Sequence, residues 1–147
     1  MKFEIENAPV SIEHINLRKE GKDDAKDLAV DIKVYMRTDP GILACFDPTL
    51  RHFLFNEKDE ARFPMMGAFG WSGEVVKAEA EIGEEKFYGV SVKKFEIGTS
   101  LSLTGKAAVA LTFTMSFKPS AREAALLAEL IGEKAWLTIK KNELPLV

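Results

Sequence analysis

AAVALTFTMSFK, Ala107 to Lys118, decides the fold class. Val109, Leu111, Phe113, Met115 and Phe117 alternate with Ala110, Thr112, Thr114 and Ser116. A period of two held this long puts the first set on one face of a strand and cannot sit on one face of a helix. An apolar face backed by a small, hydroxylated one is the habit of an antiparallel sheet with one wetter side.

Downstream the period changes. In PSAREAALLAELIGE, Ser120 with Glu123 three residues later makes a capping box. Ala124, Leu127, Ala128 and Ile131, with Leu130 beside them, give an apolar helix face, and Gly132 can close the helix in the left-handed conformation. Such a helix is expected to lie across the hydrophobic face of the sheet. KAWLTIKK returns to strand, with Ala135, Leu137 and Ile139 inward and Trp136 on the other face.

Upstream, EVVKAEAEI alternates through Val76, Ala78, Ala80 and Ile82, and KFYGVSVKKFEIG continues through Val90, Val92, Phe95 and Ile97. Leu101 and Leu103 extend that series to a Thr104–Gly105 turn. AVDIKVYMR sets Val30, Ile32, Val34 and Met36 against Asp31, Lys33, Tyr35 and Arg37. Phe3 and Ile5 begin a strand; Val10 and Ile12 share a face, and the shift at Ile15 and Leu17 marks a bulge or turn. Glu20 to Asp27 reads as an exposed loop. Asp39-Pro40-Gly41 suits a turn or a short helical start. Asp47-Pro48 is the better helix start, with Asp as cap and Pro in the first position, followed by Leu50, Phe53 and Leu54 on one side. Strands that follow one another without intervening helices pair antiparallel. The expectation is one α+β domain over residues 1–147: a mostly antiparallel β sheet or partly open barrel, with one C-terminal helix packed on it.

A chain of 147 residues can bury a core without disulfides or metal. The formal charge of −3 argues against a broad basic coat, while 20 Lys and Arg leave room for a local patch. Cys45 is the lone cysteine, which fits a reducing compartment. MKFEIENAPV does not read as a signal peptide, and no run of apolar residues is long enough to span a membrane. A cytoplasmic protein is expected.

Catalytic motifs are missing. There is no HExxH, CxxC, calcium loop or P-loop, so no metal or cofactor is expected. His14 and His52 are far apart, and one cysteine with two histidines is a poor zinc set. Cys45 with His52 is the one nucleophile pair on paper, although free cysteine usually behaves as a small hydrophobe. The acids at Asp23, Asp24 and Asp27, and at Glu57, Asp59 and Glu60, alternate with lysines or arginines as a solvated surface does. In FPMMGAFGWSG, Phe63 to Gly73, the glycines miss GxGxxG spacing and strand follows, so it is not a phosphate loop. Met65, Met66, Phe69 and Trp71 are candidates for binding a partner protein; alternatively they cover an open edge of the core, with glycines permitting tight turns.

Single-strand nucleic-acid binders combine aromatic platforms with local positive charge. Three strand regions carry that mixture: Lys33, Tyr35 and Arg37; Phe87 and Tyr88 with Lys86, Lys93 and Lys94; and Lys134, Trp136, Lys140 and Lys141. Tyr35, Arg37, Phe87, Lys93, Trp136 and Lys140 are the candidate contact residues. Asp31, on the Tyr35 face, and Glu84 and Glu85, beside Phe87, count against them.

The Val109–Phe117 strand, the capped Ala-Leu helix after Pro119, the KAWLTIKK strand and the LRHFLF patch after Asp47-Pro48 together resemble small accessory proteins encoded by tailed phages, often considered alongside replication and recombination. The resemblance covers about half of the chain and brings no catalytic residue with it. It implies a phage accessory role and leaves enzyme and binder open. The missing catalytic motifs and the aromatic-basic strands lead to the expectation of a non-enzymatic protein that acts by binding, with single-stranded DNA as the leading partner. The alternative is a protein-interaction module, such as an inhibitor of a host factor or a structural subunit. An open strand edge would favour a homodimer.

Overall fold

Six strands close on themselves. The computed structural model describes residues 3–20, 27–63, 67–101 and 106–141. In chain order the elements are β1 (Ile5–Glu20), β2 (Asp27–Arg37), α1 (Pro40–Leu43), α2 (Leu50–Leu54), β3 (Phe69–Trp71), β4 (Val75–Ile82), β5 (Glu85–Leu101), β6 (Ala107–Phe117), α3 (Ala121–Ala128) and β7 (Lys134–Lys141). The strands run β5-β4-β7-β1-β2-β6 and return to β5, every pair antiparallel. The α+β, antiparallel expectation holds, and the barrel is closed rather than partly open. Closure leaves little of the free edge that would favour a dimer. Among the described residues only the short β3, hydrogen-bonded to β5 alone, keeps an unpaired side.

The alternating residues of β6 and β2 point inward, with Val30, Ile32, Val34, Leu111 and Met115 wholly buried. Phe3, Phe95 and Phe113 meet in the barrel with ring centroids 5.1 to 6.0 Å apart. The lumen is thus a packed core. In β1 the register slips between Ile12 and His14, so Glu13 is the extra residue behind the shift at Ile15. Ile15 packs on the core, whereas Leu17 is left exposed.

Left-handed residues reset the side-chain parity of β4 and β5. Lys77 has φ 56° and the register shifts beside it, so Val75 packs on the core while Val76 faces solvent, the reverse of the simple alternation. Gly89, at φ 64°, lies between the Ala80–Phe87 and Ala78–Val90 pairs. Both Phe87 and Val90 therefore point inward. Lys94, at φ 57°, lets Val92 and Phe95 do the same.

Asp39-Pro40 does start a helix, one of the two readings of that turn, and the helix expected after Asp47-Pro48 forms as α2 but begins only at Leu50, without the Asp47 cap. Asp39 Oδ1 accepts the Ile42 N–H at 2.9 Å, with Pro40 at the head of α1. Asp47 Oδ1 instead accepts both the backbone N–H and the hydroxyl of Thr49 at 2.8 Å, which builds a turn before α2. Leu43 and Leu54 are fully buried against the barrel, but Phe53 is exposed and leans on Phe63. In α3 the capping box forms: Ser120 Oγ accepts the Glu123 N–H at 3.2 Å and the Glu123 carboxylate accepts the Ser120 N–H at 2.9 Å. The helix stops at Ala128, short of the expected Gly132. Gly132, at φ 79°, donates its N–H to Ile12 O at 2.8 Å and so fastens the return to β1. Leu127 and Ala124 are the buried residues of α3, with Leu127 in the core, and the helix contacts β1.

Candidate functional site

β3 answers one of the site questions. Phe69 lies opposite Ile97 and Trp71 opposite Phe95, both buried partners. Cross-strand partners share a face, so Phe69 and Trp71 extend the inner face of the barrel. Both are half-buried and pack on the core, with Trp71 edge-on to Phe46 at 5.7 Å. Of the two expectations for Phe69 and Trp71, this packing corrects display to a partner in favour of the other, cover for an edge of the core. Met65 and Met66 lie outside the described residues.

Phe87 is corrected as well. It is 4% exposed and packs on Phe117 at 4.6 Å, so no ligand reaches it. Tyr88 takes the outward position instead. Lys140 is outward but sits 3.9 Å from Glu79, which also faces Lys86 at 3.9 Å. Lys93 lies on β5, across from Thr114 of β6 and away from β7.

Tyr35, Arg37 and Trp136 are brought together, with Lys134 added. Ser11 of β1 is opposite Tyr35 of β2 on one side and Lys134 of β7 on the other. Pro9 is opposite Trp136, and Arg37 follows Tyr35 on the same outer face. Two strands carrying an aromatic and a cation each thus flank a low middle strand, where Pro9 and Ser11 are small. The low strip makes a cleft of about 240 Å³, walled by Tyr35, Arg37 and Lys134. Beside it Trp136 is 56% exposed. The Lys134–Trp136 pair was legible as a strand, but only the topology sets it against β1 and β2.

Asp31 is outward too, but its charge is spoken for. Arg18 pairs with it, and Ser116 Oγ donates to it at 2.5 Å. Burial alone would raise its carboxyl pKa; the hydrogen bonds from Ser116 and Arg18 outweigh that and hold it below the ordinary carboxylate value, helped by the charges of Arg18 and Lys93.

Nucleophile chemistry finds no support at Cys45. Its thiol is half-buried and donates to Ile42 O at 2.9 Å, and burial pushes it up to about 11. A thiol at that value carries almost no thiolate at neutral pH. His52 is exposed on α2, in a shallow polar cleft with Arg51, Asn56, Asp59 and Arg62. There the Arg51 guanidinium meets Asp59 at 3.3 Å and Arg62 donates to His52 O at 2.7 Å. Among the described residues no three metal-binding side chains converge, and no helix is long and apolar enough to cross a membrane.

The sequence matches no protein-family model, no curated protein matches it, and no solved structure matches its fold.

Proposed function

We propose that this protein is a non-enzymatic binding module for single-stranded DNA, which it takes on the outer face of β7, β1 and β2. The observation that carries the reading is the pairing of Tyr35 with Arg37 and of Lys134 with Trp136 across the low strip of Pro9 and Ser11. Aromatic rings stack on bases of any sequence, and the adjacent cations meet phosphates. The acid that counted against this face, Asp31, is held in an ion pair and adds little repulsion. The packed lumen supports the reading as well, because it moves any ligand to the outside. In the phage setting suggested by the sequence, such a module would serve replication or recombination. The protein-interaction alternative drew on the acidic balance and on the loop of Met65, Met66, Phe69 and Trp71, and the inward packing of Phe69 and Trp71 weakens its aromatic part.

Fluorescence anisotropy with a labelled oligothymidylate of about 20 nucleotides, beside the matching duplex, tests the proposal. Two phosphate contacts, at Arg37 and Lys134, should give a slope of log K on log salt of about −1.4 for a single strand. Arg37→Ala should reduce its magnitude by about 0.7. Binding that does not saturate, ignores salt, or is unchanged in Arg37→Ala and Trp136→Ala would overturn the reading.

A further inference from the structure

Resting on that reading, we infer that the face takes a short segment of single strand, about three to five nucleotides, whose outer two bases stack separately on Tyr35 and Trp136. The register makes a small grid. Lys134, Ser11 and Tyr35 form one row across the three strands, Trp136 and Pro9 begin the next, and Arg37, two residues beyond Tyr35, continues it at the end of the β1–β2 ladder. The aromatics occupy one diagonal and the cations the other.

Distance decides what the grid can hold. Two inter-strand spacings of about 4.8 Å and one two-residue step of about 6.8 Å separate diagonal corners by about 12 Å. Curvature of the barrel spreads the side-chain tips, so this is a minimum. One base sandwiched between two rings needs them about 7 Å apart, twice the van der Waals contact distance. Tyr35 and Trp136 are too far apart for that, so each holds its own base. A stacked strand advances about 3.4 Å per nucleotide, so 12 Å covers about three to four steps. A strand with its bases splayed onto the rings covers the distance in fewer. Arg37 and Lys134, equally far apart, each meet a different phosphate. Pro9 and Ser11, low in the middle, leave room for the intervening sugars, and the cleft is too small for a larger ligand to sit in one piece.

A length series of oligothymidylates from about two to about twelve nucleotides, titrated against the whole protein, tests this. Affinity should climb steeply to about five nucleotides and then rise only slowly as registers are added. Trp136→Ala and Tyr35→Ala should each weaken five-nucleotide binding roughly 5- to 150-fold. For a dinucleotide, which reaches one ring at a time, either variant should cost only about twofold. Trp136→Phe keeps a ring and should recover much of the loss, and circular dichroism should show every variant folded. A plateau at two nucleotides, or a steep rise continuing beyond ten, would overturn this inference while leaving single-strand binding in place. Failure to bind at any length would remove both.

Discussion

Phe46→Ala tests the packing that turns Trp71 inward. The Phe46 ring lies 5.0 Å from Phe95, 5.7 Å from Trp71 and 5.8 Å from Phe3. It joins the α1–α2 segment to the barrel and to β3. Truncating a fully buried Phe costs about 3–5 kcal/mol. Phe46 is only half-buried, which roughly halves that, and its ring contacts, counted together because burial already covers part of them, add about 0.5–1.5 kcal/mol. The expected loss is about 2–4 kcal/mol. Urea denaturation followed by circular dichroism measures it. The chain has two tryptophans, so a Trp136→Phe background leaves Trp71 as the sole emitter. In that background the emission should be blue-shifted and shielded from acrylamide, and Phe46→Ala should move both toward solvent values. A double-mutant cycle with Trp71→Ala should show coupling of about 0.5–1.5 kcal/mol. A loss below about 1 kcal/mol, or solvent-like Trp71 emission before Phe46 is changed, would refute the packing argument.

Gly98→Ala should loosen β3, because the added Cβ would meet Ala68 Cα at 3.0 Å and Ala68 N at 3.3 Å. A loss of about 1–3 kcal/mol in denaturant is expected, with faster amide exchange at Phe69 and Trp71. Cys45 should react with Ellman's reagent far more slowly than a free thiol at pH 7 and accelerate toward pH 10, and a fast reaction at pH 7 in folded protein would contradict its burial. Asp31 has a folded pKa below its unfolded one, so it stabilises the fold above the ordinary carboxyl range and loses that effect as the pH falls through the folded value. The gap in thermal midpoint between the parent and Asp31→Asn should therefore narrow from pH 6 toward pH 2. A gap that stays constant would show that the ionised carboxylate contributes nothing.

Periodicity was enough for β2, β6 and β7, whose inward residues are the alternating ones. It failed where a single residue entered the left-handed region. Even parity from Val90 and Val92 would put Phe87 outside and Tyr88 inside; Gly89 exchanges them. Glycine is at home there, so the break had a trace in the sequence. Lys77 left none, because lysine seldom adopts positive φ, whereas at Lys94 the step of the apolar series from Val92 to Phe95 was the trace. The two Asp-Pro pairs show a different limit. Either aspartate can accept a backbone N–H, and only the geometry of the following residues decides whether a helix or a turn results.

Closure was beyond the reach of local pattern, and the candidate site depends on it. Tyr35 and Arg37 read as outward from β2 alone, and Trp136 as outward from β7 alone. Nothing in either segment says that β1 lies between them. Closing the sheet forces that order, and filling the barrel with Phe3, Phe95 and Phe113 removes the lumen as a binding place. A ligand is then left with the outer wall, where long side chains on most strands cover the surface. The middle strand β1 is low at Pro9 and Ser11, as β6 is at Thr112 and Thr114, and on β1 the small residues turn a convex wall into a shallow trough flanked by aromatics and cations. Replacing Ser11 with a bulky residue such as Phe should fill that trough, against Tyr35 and Lys134, without removing any cation or ring. Because Ser11 is only partly buried on the outer face, the thermal midpoint should hold while oligothymidylate binding falls. Unchanged affinity in a folded Ser11→Phe protein would show that the trough is not where the strand lies.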